Sequence, residues 1–135
     1  MRRGAIMAVI LLAAARPAAA QSDEPIAVPS GQVVTWLDTV QDAPGPEGLT
    51  IRFRFVAPAI ARSGGTVGPE QAQEDMAHLC DSFALPRLSA TGPRPAQIVI
   101  SLSDRPVPFG EPDPEATQFF EAYRPGDDFC VWEPF

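Results

Sequence analysis

Few side chains in this sequence have the chemistry for catalysis or metal binding, and their types narrow the options at once. His78 is the only histidine, and Cys80 and Cys130 are the only cysteines. Every cation is an arginine. The absence of lysine removes Schiff-base chemistry, Ser-Lys dyads and the Walker A phosphate loop together. A His-based triad or zinc cluster would have to be built on one imidazole. No GxSxG, CxxCH or HExxH motif is present, so nothing in the spacing points to a hydrolase elbow, a haem attachment site or a zinc protease. On a helix, His78 lies about 200° round from Met76 and so faces solvent, with Glu74, Asp75 and Asp81 as neighbours.

Three groups of residues remain as candidates. Cys80 and Cys130 read first as a disulfide, because they lack the CxxC spacing that tunes a redox thiol. Closing a loop of about 50 residues is worth about 4 kcal/mol by loop-closure entropy. Arg52 and Arg54 alternate on the polar face of one strand, and Arg105 joins them if the strand preceding it lies alongside. Guanidinium forks suit carboxylates and phosphates, so these three form a candidate anion site. The rival is a solvated sheet face whose arginines pair with nearby acids. Glu111, Asp113 and Glu115 alternate like oxygen ligands of a calcium loop, but Pro112 and Pro114 stiffen the backbone between them, and the glycine and distant glutamate of an EF-hand are missing.

The chain that must position these residues has 135 residues and a formal charge of −7. Met1-Arg2-Arg3-Gly4, the apolar run Ala5–Ala15 and the small residues Ala18-Ala19-Ala20 have the three-part plan of an export signal. The apolar run is too short for the roughly 20 residues that cross a membrane as helix. Residues 1–20 are therefore expected to be removed, and no membrane span is expected to remain. Losing Arg2, Arg3 and Arg16 moves the charge to −10. Such acidity speaks against nucleic acid as a partner, and the length speaks against the larger cofactor folds. Sixteen prolines are spread along the chain and mark the ends of elements.

Residues 21–32 are expected to be a flexible leader, and 33–135 a single domain. Val33–Gln41 is β-branched and reads as a strand. Leu49–Val56 alternates Leu49, Ile51, Phe53 and Phe55 with Thr50, Arg52 and Arg54, the period of a half-buried strand. Gly68-Pro69-Glu70 opens a helix whose apolar stripe is Ala72, Met76, Leu79, Cys80 and Phe83, and Pro86 stops it. Ala96–Ser103 is a third strand, with Ile98, Ile100 and Leu102 inward. Asp113-Pro114 starts a second helix, with Ala116, Phe119, Phe120 and Tyr123 as its stripe. Asp128–Glu133 is a fourth strand. The order β-β-α-β-α-β, two helices on a small four-stranded sheet with one disulfide, gives an α+β fold.

The runs Ile51–Pro58, Ala84–Arg87, Gln97–Gly110, Thr117–Arg124 and Cys130–Phe135 resemble a family of short uncharacterised exported proteins of alphaproteobacteria. That resemblance implies one domain and the Cys80/Cys130 pair, and carries over no activity or catalytic residue. The expected function is a non-catalytic periplasmic or secreted binding or interaction module, without cofactor, for an unknown protein or small anionic ligand. A small carboxylate-based hydrolase and a calcium-dependent structural domain are the alternatives. The export reading is checked by intact mass: the exported protein should begin at Gln21, cut after Ala20.

Overall fold

A computed structural model describes Gly4 and residues 24–41, 48–89 and 93–134. The segment read as an export signal, residues 1–20, lies outside the described residues apart from Gly4. Five strands form one sheet in sequence order: β1 (Thr35–Val40), β2 (Thr50–Val56), β3 (Gln97–Ser103), β4 (Gln118–Pro125) and β5 (Cys130–Glu133). β2 and β3 are parallel, and every other neighbouring pair is antiparallel. Between β2 and β3 run a short 3-10 turn (Pro58–Ile60) and the helix α1 (Pro69–Leu79).

The expectation of four strands and two helices is therefore wrong, and the error falls on residues 113–124. The helix-start chemistry there is real but produces only a turn. Asp113 Oδ1 accepts from the N–H of Glu115 at 3.1 Å and of Ala116 at 3.3 Å. From Gln118 onward the chain is strand β4. Ala116, Phe119, Phe120 and Tyr123 fit a helical stripe. The same segment also alternates, with Phe119, Glu121 and Tyr123 against Phe120, Ala122 and Arg124. Helical and strand periods cannot be told apart over so short an aromatic run. The backbone decides between them: as a strand, the segment satisfies the outer edge of β3 over six residue pairs, from Ile98–Tyr123 to Ser103–Gln118. Phe120, expected on the inward stripe, is instead 52% exposed on the far side of the sheet.

The core lies between α1 and one face of the sheet. Phe53, Phe55, Ile98, Ile100, Leu102 and Tyr123 from the strands meet Ala72, Met76, Leu79 and Cys80 from the helix, all buried. Pro86 does not stop the helix at the point expected. α1 continues through a π turn (Cys80–Ala84) and a 3-10 turn (Leu85–Arg87). The N–H of Leu85 donates to Cys80 O, five residues back. A proline ring collides with the carbonyl four residues before it in a regular α-helix, and the wider turn accommodates Pro86.

The leader, expected to be flexible, is fastened over its described part. Val28 and Val34 are buried, and Ile26 N donates to Val34 O at 2.8 Å. Asp75, expected among the solvated acids around His78, is fully buried and forms the clasp. It accepts from Ser30 N at 2.9 Å, Ser30 Oγ at 2.5 Å and Gln32 Nε2 at 2.6 Å. Three donors offset the desolvation of a buried carboxylate. His78 itself is exposed.

Cys80 and Cys130 are bridged, with their Cα atoms 6.1 Å apart, and Asp81 Oδ1 accepts from Cys130 N at 2.7 Å beside the bridge. Together they fasten the helix to the last strand. Cys130→Ser should lower unfolding stability by about 4 kcal/mol. Denaturant melts check this: reduced wild type should fall to the midpoint of the oxidised variant, and a reductant-insensitive wild type would contradict the bridge.

Candidate functional site

The far face of the sheet carries the arginines singled out in the sequence, and a β-bulge explains their surroundings. In β1 the register with β2 shifts by one residue between Trp36 and Asp38. Trp36 stands opposite Phe55 on the helix side, whereas Asp38 stands opposite Arg54 on the far side. In an unbroken strand, Trp36 and Asp38 would share a face. The bulge brings Asp38 Oδ2 to 2.8 Å from Arg54 Nη1, in a pair where Arg54 is only 11% exposed. The second guanidinium arm of Arg54 donates to the carbonyl of Val107.

Val107 belongs to the loop 104–117, which folds back over this face. Its base is closed by Asp104 N donating to Thr117 O at 3.0 Å and Thr117 N donating to Asp104 Oδ1 at 2.7 Å. Phe109 at its tip lies beneath both arginines, 6.0 Å from the Arg52 guanidinium carbon and 5.6 Å from that of Arg54. Arg105 does not join them in the cavity of about 300 Å3 beneath the loop. It stays at the loop base, 3.3 Å from Asp104 Oδ2 and 3.9 Å from Glu115 Oε2.

This arrangement is poorly suited to an anion. Arg54 is spent on Asp38 and Val107, and Glu111 also lines the cavity, so two cations face two acids. Asp38 Oδ1 is buried and has no partner among the described residues. The unmet demand here is for a hydrogen-bond donor. The arginines read as a clamp that holds the loop against the sheet. Glu111, Asp113 and Glu115 do not converge either: among the described residues no group of three His, Cys, Asp or Glu could hold a metal ion.

A larger concavity lies on the opposite side of the sheet, and sequence reasoning missed it. It is an open groove of about 1060 Å3 between the helix end, the β1–β2 edge of the sheet and the leader. Phe83, carried by the π turn, forms its centre. The ring packs edge-on against Phe55 at 5.3 Å and Phe53 at 6.3 Å, and lies 6.5 Å from Trp36. Trp36 Nε1 donates to Thr39 Oγ1 at 3.1 Å, across the bulge that puts both on this face. Ile26 and Pro25 of the leader and Pro93 and Pro95 before β3 complete the walls. Arg87 stacks on Phe83, its guanidinium carbon 3.5 Å from the ring centre. One signal for this was present in the sequence: a Phe and an Arg four apart near a helix end meet on one helical face.

Tyr123, on β4, is 2% exposed. Burial pushes its phenol well above the ordinary value of 10.0, and the charges of Glu121 and Asp81 push it the same way. It stays a neutral phenol where a nucleophile or base would need to be ionised. Glu121 accepts from Trp132 Nε1 at 2.6 Å.

Fold and site together define a small disulfide-bonded α+β domain with a five-stranded mixed sheet and an aromatic groove under its helix end. The chain belongs to a family of unknown function (DUF6497), whose model matches residues 8–135. No curated protein and no solved structure matches it.

Tyr123 gives a testable pH dependence. An acid whose folded pKa is raised keeps its stability contribution below the unfolded value and loses it as pH rises beyond. Stability should therefore decline from about pH 10 upward. Tyr123 is the only tyrosine, the chain has no lysine and both cysteines are bridged, so this limb belongs to one side chain. Urea melts of wild type and Tyr123→Phe across this range should show the alkaline slope only in wild type. Equal slopes would contradict the assignment.

Proposed function

We propose that this protein is a non-catalytic binding module that works outside the cytoplasm, and that its ligand lies in the groove between the helix end and the β1–β2 edge. The observation that carries this reading is the groove itself: about 1060 Å3 of space around Trp36, Phe53 and Phe83, next to an exposed arginine. Ligand sites are concave and mostly apolar, with a few polar groups that fix orientation. Export is supported by the signal-like segment and by the Cys80–Cys130 bridge, since disulfides persist in oxidising compartments. No helix among the described residues is long and apolar enough to cross a membrane.

The carboxylate-hydrolase alternative has less to rest on. Asp75 is spent on the leader, Asp38 on Arg54, Asp81 on Cys130 N and Glu121 on Trp132. Among the described residues that line the groove Glu24 is the one acid, so no pair of acids is brought together there.

The neutral fluorescent probe N-phenyl-1-naphthylamine tests the site. It should bind the oxidised protein saturably with enhanced emission. Ser82→Trp, which fills the groove from the exposed π turn, should weaken binding at least about tenfold, the equivalent of roughly 1.4 kcal/mol. Arg52→Ala, on the other side of the sheet, should leave binding unaltered. Probe affinity indifferent to Ser82→Trp would move the site elsewhere.

A further inference from the structure

Taking the groove as the ligand site, we infer that its ligand is a small amphiphile with an apolar body and a single carboxylate head, and that Arg87 holds the head. The aromatic floor of Trp36, Phe53 and Phe83 accounts for the body. The head follows from the one charged donor among the described lining residues, beside the neutral donors of Thr39, Gln41 and Ser89. Trp36 Nε1 already donates to Thr39, and Ser82 Oγ donates to His78 O at 2.7 Å. Pro25, Pro93 and Pro95 supply walls without an N–H.

Arg87 differs from these. It is the one cation among the described lining residues, it is exposed, and its guanidinium carbon lies over the Phe83 ring. One arm donates to Phe83 O at 3.0 Å. A stacked guanidinium keeps its in-plane edge for a planar, two-oxygen acceptor, the geometry of a carboxylate. Arg87 also sits at the end of the helical segment, where unpaired carbonyls carry partial negative charge. Without its cation, this end of the groove would repel an anion. A monocarboxylate suits a single arginine better than a phosphate monoester of nearly double charge.

Decanoate, decyl phosphate and decanol, titrated by calorimetry into the oxidised protein, separate these features. Decanoate should bind about tenfold more tightly than decanol, and more tightly than decyl phosphate. Arg87→Gln should bring the decanoate-to-decanol ratio close to one, and Arg87→Lys, which keeps the charge but not the fork, should restore part of it. Equal binding of decanoate and decanol to wild type, or a ratio that survives Arg87→Gln, overturns the head-group assignment. Tighter binding of decyl phosphate overturns the choice of carboxylate. If none of the three binds while the neutral naphthylamine probe does, the ligand class is wrong and the groove reading stands. If the neutral probe also fails, both fall. Should Arg87→Gln not fold, the ratio in wild type and its loss at high salt decide the matter alone.

Discussion

Two strands that run the same way side by side cannot be joined by a hairpin, and β2 and β3 do so over seven residue pairs, from Thr50–Gln97 to Val56–Ser103. The connection must leave the sheet, cross one face and return. That crossover is α1, and its stripe of Ala72, Met76, Leu79 and Cys80 buries the inward residues of β2 and β3. All seven residues of β3 are buried, as expected of a central strand. The remaining strands extend this pair outward by antiparallel steps, β1 on one side and β4 and β5 on the other.

A helix on one face leaves the other face to be covered by something else, and the chain uses the loop 104–117. Arg54 is the pin: one arm on Asp38 of β1, the other on Val107 of the loop, with Phe109 beneath. The β1 bulge matters to both faces at once. It turns Asp38 toward Arg54 and keeps Trp36 and Thr39 together over the groove. The π turn plays a similar part at the helix end, carrying Phe83 into the aromatic cluster while letting the segment run on through Pro86 to Arg87. The Cys80–Cys130 bridge stands at the start of that turn, so the covalent staple and the groove share one piece of backbone.

Much of this was fixed by local patterns. The alternation from Leu49 to Val56 needs only a pleat and one buried face, and β2 follows it with Phe53 and Phe55 inward. Pro69 at a helix start, the i, i+4, i+7 stripe and the inward set Ile98, Ile100 and Leu102 act over one or two turns of chain, so they survive whatever the fold. The cysteine pair is legible because two lone cysteines without CxxC spacing have few other uses. What sequence could not decide lay where two local readings were equally good or where the partner was distant. Residues 118–124 satisfy helical and strand periods alike, and only the open edge of β3 chose between them. Asp75 looked solvated until Ser30 and Gln32, more than forty positions away, came to fill its lone pairs. The facing of Asp38 depends on a one-residue bulge, and the use of Arg54 on a loop 53 residues further along. Hydrophobic period and capping are written in neighbouring residues. Hydrogen-bond satisfaction and the pairing of charges are settled only when distant segments meet.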